Sequence, residues 1–213
     1  MVYRYFNFNE NSLSFLISKK LWVSHPSKFN DPFDSVFQVD LMGSPSDTIE
    51  KHQNEQAICC FSEKHDSILM WSHYADSHKG FCVGFDKNSE LFCDPKLFQK
   101  VFYEKEEFSF YINPTDEKMY NSKDEYQEFD KLFTTKYEDW AYEKEWRLIL
   151  TLDLKEPDHY PHGRFIVTNA VKTIYFGCKM PEEHKEIIKA ILGADVIYKN
   201  MNINSGKFAL VES

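Results

Sequence analysis

No apolar run in this chain approaches the roughly 20 residues that a membrane-spanning helix needs, so a helical membrane protein is excluded. The opening stretch, MVYRYFNFNENS, sets no basic segment before an apolar one and a small-residue cleavage site. No secretory signal is therefore expected, and the cytoplasm is the expected compartment. Cysteine is sparse and unpatterned: five residues, at 59, 60, 82, 93 and 178, odd in number and never spaced CxxC. That argues against a disulfide framework or a zinc ribbon and for buried free thiols. Arginine is scarcer still. Of 25 basic residues only Arg4, Arg147 and Arg164 carry a guanidinium, whose rigid fork of donors suits structural or anion-binding duties that lysine performs poorly. Also missing are HExxH, GxSxG, GxxxxGK[ST] and GxGxxG, together with internal repeats and low-complexity tracts. These absences remove the common zinc protease, hydrolase, phosphate-loop and dinucleotide-fold signatures. Positive charge is in deficit as well: the net charge of −9 repels phosphate backbones and excludes a broad nucleic-acid surface.

What is present suits a globular core. Of the 213 residues, 42% are hydrophobic and 16% aromatic, enough for a single domain spanning the chain. Strands are expected at 2–6, 21–24, 57–62, 80–85, 101–103, 145–152, 164–167, 173–176, 196–198 and 208–211, with a further one around Val36, Phe37 and Val39. Helices are expected after an Asn9 or Asn11 cap, over 67–75, and after Pro181. Residues 43–56 read as a surface loop. Residues 104–140 read as a helical insertion with Tyr126, Phe129, Leu132, Phe133 and Trp140 on one face. Strands mixed with irregularly spaced helices indicate an α+β fold, with a mixed, largely antiparallel sheet, split or continuous, flanked by helices.

Four motifs carry polar groups that could do chemistry. In YRYF, period-two alternation sets Arg4 on the face opposite Tyr3 and Tyr5, where it can clamp a phosphate or carboxylate or form a surface salt bridge. In FNDPFD (29–34), Asn30, Asp31 and Asp34 can bind a ribose or a metal, or simply form Asx turns, while two phenylalanines anchor the loop. In MWSHYADSHKG (70–80), a helix over 67–75 sets Trp71 and Tyr74 one turn apart, with Ser72 and His73 on neighbouring faces, offering stacking and hydrogen bonding together. In WAYEKEWR (140–147), alternation sets Glu143 and Glu145 on one face. Mutual repulsion in a cleft would raise one proton affinity, as acid–base work requires; the plainer alternative is a solvated acidic edge paired with Lys144 and Arg147. All four motifs, with aromatic anchors beside polar groups, are expected to line one cleft in which Arg4 and Glu145 pair directly or through a ligand. The alternative is that Arg4 pins the loop through Asp31 or Asp34 and leaves the glutamates to Arg147.

Taken together, YRYF, FNDPFD, MWSHYADSHKGFCVGFD, W-x-YEKEWRLI and IYFG resemble the prokaryotic family called domain of unknown function 2971, which carries no settled activity. Their order, with a first-strand cation, a middle aromatic and hydroxyl segment and a late Glu-x-Glu strand, is more faintly similar to the ADP-ribosyltransferase layout. That resemblance implies NAD, as substrate, bound in a split sheet. It gives Arg4 the role of NAD anchor, Ser72 or Tyr74 the middle role, Glu145 that of catalytic carboxylate and Glu143 that of its partner. His73 joins the catalytic set, and Asn30, Asp31, Asp34 and Trp71 the binding set. The expected activity is transfer of ADP-ribose to a macromolecular target, or hydrolysis of NAD. Two other readings are a sensor or interaction module that binds a small nucleotide or peptide without turning it over, and a metal-dependent phosphoesterase built on Asp31, Asp34, His73 and a glutamate. The leading reading calls for no metal.

Overall fold

The computed structural model of the chain describes residues 1–34, 55–105, 131, 133–153, 155–156 and 159–213. The strands are β1 (Val2–Phe6), β2 (Lys20–Ser24), β3 (Gln56–Ser62), β4 (Phe81–Phe85), β5 (Phe98–Lys100), β6 (Phe102–Glu104), β7 (Thr135–Tyr137), β8 (Glu145–Thr151), β9 (His159–Tyr160), β10 (Gly163–Val167), β11 (Val171–Phe176), β12 (Ile197–Ile203) and β13 (Leu210–Glu212). The helices are α1 (Glu10–Ser18), α2 (Ile68–Tyr74) and α3 (Glu182–Leu192). Asn9 starts α1 through a reciprocal cap: its side chain accepts from the Ser12 amide at 3.0 Å, and Ser12 Oγ accepts from the Asn9 amide at 3.1 Å. Lys19, left-handed at φ 57°, stops the helix and turns the chain straight into β2. No helix among the described residues is long and apolar enough to cross a membrane.

Eleven strands form one sheet, mostly antiparallel, and β6 and β7 pair separately. Among the described residues the large sheet has one parallel pair, β11 with β12, and it is bridged by α3, as a parallel connection requires. The fold is α+β. Its decisive feature is a fork at β3. One edge of β3 pairs along its whole length with β8, from Gln56↔Thr151 to Ser62↔Glu145. Its other edge meets two strands by a single residue pair each, β1 at Tyr3↔Ser62 and β2 at Ser24↔Ile58. One arm continues from β1 through β4, β11 and β12 to β13, and the other from β2 through β10 to β9. Among the described residues, Cys59, Cys60 and Phe61 face the gap between the arms without a ladder partner on that edge.

Alternation separates two cores. Val2, Phe15, Leu21, Val23, Phe61, Phe85, Ile174 and Ile188 pack on the α1 and α3 side, and Tyr5, Met70, Trp71, Cys82 and Tyr175 under α2. The expected elements at 2–6, 57–62, 80–85, 145–152 and after Pro181 lie where the sequence puts them. The stretch near 140 is different. Phe133 and Thr134 are helical, but the chain then extends as β7 and passes through a 3-10 turn, Glu138–Glu143, that contains Trp140. No helix therefore reaches Trp140: β6 supplies β7 with a pairing partner, and Phe133 and Trp140, expected on one helical face, lie in different elements, while Tyr126, Phe129 and Leu132 fall outside the described residues. The expected strand near Val36 lies outside the described residues, as do most of the 43–56 loop and of the 104–140 insertion.

Candidate active site

The FNDPFD loop, α2 and the start of β8 converge over the fork. Glu145 and Arg147 alternate onto the α2 face of β8, beside Ser62 and Cys60 of β3. Just before them the 3-10 turn ends at Lys144, left-handed at φ 47°. That bend lets Glu143 reach the same space as Glu145, although the two do not lie on one continuous strand. Arg147, 0% exposed, uses its fork fully. Its Nη1 and Nη2 donate to the two Asp34 carboxylate oxygens at 2.9 and 2.6 Å, its Nε to Glu145 Oε1 at 2.8 Å, and Nη1 also to the Phe133 carbonyl. Lys136 of β7 donates to Glu143 Oε2 at 2.7 Å and Glu145 Oε2 at 3.1 Å, and lies 3.6 Å from Asp34. Tyr74 Oη donates to Glu143 Oε1 at 2.7 Å and accepts from Asn30 Nδ2 at 3.3 Å.

The electrostatics divide the two glutamates. The cluster holds three carboxylates, Asp34, Glu143 and Glu145, against two cations, Lys136 and Arg147. Burial works against ionised Glu145, but Arg147 and then Lys136 outweigh it and bring its carboxyl down to about 2. For Glu143, burial dominates the pull of Lys136, the Glu145 charge adds to it, and the carboxyl is held above its ordinary value. Burial and the neighbouring Glu143 push the Tyr74 hydroxyl well up, so it remains a donor. Glu145 is thus a fixed charge and Glu143 the group able to exchange a proton. Cys60 shares the space, but burial and Glu145 push its thiol up, which disqualifies it as a nucleophile.

A cavity of about 480 Å³ lies over this cluster, within the range of small-molecule sites. Arg4, Asn30, Asp34, His73, Tyr74, Glu143 and Glu145 all line it, with Lys136, Cys60 and Phe29. Arg4 does not pair with Glu145, Asp31 or Asp34. It leans from β1 into the fork, where Nη1 donates to the Trp22 carbonyl at 3.3 Å and to Cys59 Sγ. Among the described residues its guanidinium has no carboxylate partner. It also lines a second cavity of about 550 Å³ on the α1 side, and the two cavities share Arg4, Tyr5, His73 and Tyr74.

Residues 70–148 match the model of a family described as protein of unknown function, DUF2971. The matched stretch runs from the start of the α2 motif to Leu148, so it includes Tyr74, Lys136, both glutamates and Arg147. Neither a curated protein nor a solved structure matches the chain.

Three residues expected in the site stand outside the cavity. Trp71 is 0% exposed, its ring edge-on to Tyr5 and its indole N–H donated to the His65 carbonyl at 2.7 Å, so its faces belong to the core. Ser72 is on the exposed side of α2. Asp31 closes an Asx turn onto the Phe33 amide at 2.9 Å. Lys136 was legible only as one lysine among many, in a stretch that reads as helix. The role of Arg147 had a signal in the scarcity of arginine. Among the described residues, no three His, Cys, Asp or Glu side chains gather as a group that could hold a metal.

Proposed function

We propose that this cavity binds NAD and cleaves its nicotinamide–ribose bond, passing ADP-ribose to water or to a macromolecular acceptor. One arrangement supports the reading: an arginine with no carboxylate partner among the described residues and two buried glutamates of opposite proton affinity border the same cavity. Arg4 takes the diphosphate. The C–N electron pair leaves with nicotinamide, whose ring becomes neutral, and positive charge develops on the sugar. Glu145, held ionised, stabilises that charge. Glu143 accepts the proton of the attacking water or acceptor, with Tyr74 holding it in place. Phe29 and Tyr74, instead of Trp71, offer aromatic surface to the ring. All five cysteines are free, which fits a reducing compartment, and we place the protein in the cytoplasm.

Chromatographic assay of nicotinamide release tests the reading. Wild type should release nicotinamide, and Glu145→Gln should lower kcat by about 100-fold or more. Arg4→Ala should act mainly on KM. If NAD is neither consumed nor bound, the reading is wrong. A second reading is favoured by the depth at which Glu145 is committed: 3% exposed and bonded to both Arg147 and Lys136, it can be read as architecture. The cavity would then be a nucleotide sensor, and NAD would stabilise the protein while remaining intact over hours.

A further inference from the structure

The two cavities that share Arg4, Tyr5, His73 and Tyr74 are chambers on either side of one guanidinium. The divergence of β1 and β2 separates them. Each strand meets β3 by a single residue pair, at Tyr3 and at Ser24, and the two do not pair with each other. Beyond those pairs the strands part, one running on to Phe6 and the other back to Lys20, and α1 joins their far ends. A wedge remains between them, and the second chamber, of about 550 Å³, occupies it. Arg4 stands at the junction. Its Nη1 donates across the wedge to the Trp22 carbonyl and to Cys59 Sγ, while Nε and Nη2 make no hydrogen bond among the described residues.

The chambers differ in charge. Asp34, Glu143 and Glu145 line the one over β8. Among the described residues, no aspartate or glutamate lines the wedge, although the chain has 34 of them. Cations and neutral polar groups line it instead: Arg4 and Lys20, with Asn7, Asn9, Asn11 and Ser14. Asn7 gives its Oδ1 to the Asp76 amide and keeps its NH2, and exposed Asn11 makes no side-chain hydrogen bond among the described residues. Trp22 and Phe165 sit opposite each other on β2 and β10, their rings 4.8 Å apart, and give the wedge an aromatic wall. His73 borders both chambers beside Arg4, and an imidazole has an N–H to donate in either charge state.

NAD carries its charges in the same order. The nicotinamide ring is a cation, the central diphosphate an anion, and the adenosine neutral and rich in donors and acceptors. Carboxylates attract the pyridinium and repel the phosphates, so the acidic chamber takes the nicotinamide end and the diphosphate stops at Arg4. The half beyond the diphosphate then continues into the wedge. Side-chain amides match the N6 donor and N7 acceptor of adenine, and aromatic walls pack on its ring. We infer that the wedge chamber is the adenosine subsite: adenine lies beside Phe165 and Trp22 and bonds Asn7 and Asn11, while Arg4 and His73 grip the diphosphate at the junction. The inference rests on the reading of the first cavity as an NAD site and adds the direction in which the dinucleotide lies.

Calorimetric titration of the whole chain with AMP, adenosine and nicotinamide riboside tests it, with backbone amide spectra to locate each ligand and nicotinamide release to follow NAD. AMP and nicotinamide riboside should bind together, neither displacing the other. AMP should shift the Asn11 and Phe165 amides, and the riboside those of Asn30 and Glu145. Arg4→Ala should bring AMP to the affinity of adenosine. Ser14 is exposed and its side chain makes no hydrogen bond among the described residues, so Ser14→Trp fills the wedge without removing one. That variant should weaken AMP, and raise the KM for NAD or its Kd where NAD stays intact, by about tenfold or more, leaving nicotinamide riboside affinity unchanged. Phe165→Leu should weaken AMP and adenosine alike, and thermal unfolding verifies the fold of each variant. Wild-type KM or Kd for NAD in both variants would overturn the inference and leave the reading of the first cavity intact. AMP that displaces nicotinamide riboside would also overturn it, since both would then occupy the acidic chamber. NAD neither bound nor cleaved would overturn both readings.

Discussion

At the scale of single residues, the asymmetry between Glu143 and Glu145 has measurable consequences. Glu145 is bonded to Arg147 and Lys136, so Glu145→Gln strips one partner from a buried charge network and should cost about 3 to 5 kcal/mol in urea unfolding. Glu143→Gln keeps one oxygen to accept from Lys136, turns its NH2 towards Tyr74 Oη, which can accept from it, and removes the surplus negative charge. It should change stability by less than about 1 kcal/mol, while abolishing any proton transfer at the site. The pH dependence follows with opposite signs. The folded Glu145 carboxyl, at about 2, lies below its ordinary 4.5, so its stabilisation is full above 4.5 and is lost as pH falls towards 2. The folded Glu143 carboxyl lies above 4.5, so its contribution is present below that value and is lost as pH rises through the folded one. Unfolding midpoints measured against pH should therefore show a shallower acid loss for Glu145→Gln than for wild type. For Glu143→Gln they should show a gain relative to wild type that grows as pH rises above 4.5. Parallel wild-type and variant curves would show that neither carboxylate carries these shifts.

Among the elements, the turn into β8 matters most, because it aims both carboxylates. Lys144 adopts φ 47°, and its carbonyl accepts from the Glu63 amide at 3.0 Å, tying the turn to the end of β3. Lys144→Gly should be neutral within about 0.5 kcal/mol, relief of strain offsetting the added freedom of the unfolded chain. Lys144→Ile cannot take this conformation cheaply and should cost about 1 to 3 kcal/mol. If both variants unfold with wild-type midpoints, the turn does not set the site. This element also marks where the sequence stopped being legible. The motif WAYEKEWR pointed to both glutamates and to one shared space, but through strand alternation, whereas Glu143 closes the 3-10 turn and only Glu145 stands on β8. It could not disclose the left-handed lysine, which has no signature comparable to glycine. Nor could it disclose Lys136, brought in by β7, since parallel pairing of β6 with β7 is a long-range choice that overrides local helical character. Trp71 failed as a site residue for a related reason: helical spacing fixes its angle relative to Tyr74 but not which face meets the core. Arg4 was legible as an isolated cation, and the gap it fills was not.

For the whole molecule, the fork is a seam in the sheet. The β2–β10–β9 arm meets β3 through one ladder pair, Ser24↔Ile58, whereas β3 and β8 share seven. What retains the arm is packing: Leu21 and Val23, exposed by 1% and 0%, sit in the core below α1. Each such side chain contributes about 1.5 to 3 kcal/mol, so the arm should open at several kcal/mol, yet below the free energy of global unfolding. Native-state hydrogen exchange should accordingly show the β2 and β10 amides, Leu21 to Val23 and Phe165 to Ile166, exchanging through a sub-global opening. The β3–β8 amides should wait for global unfolding. Because Ser24, Phe29 and Asn30 of one arm and Tyr3, Arg4 and Tyr5 of the other line the same cavity, a ligand there would span the seam. At 100 times its dissociation constant it should raise the opening free energy of the β2–β10 arm by about 2.7 kcal/mol, slowing exchange by about 100-fold. A ligand that protects α2 and β8 but leaves β2 and β10 unchanged would confine binding to the carboxylate end and remove Arg4 and the fork from the site. If the arm exchanges only with the rest of the sheet, the fork is not a line of weakness and the two arms fold as one.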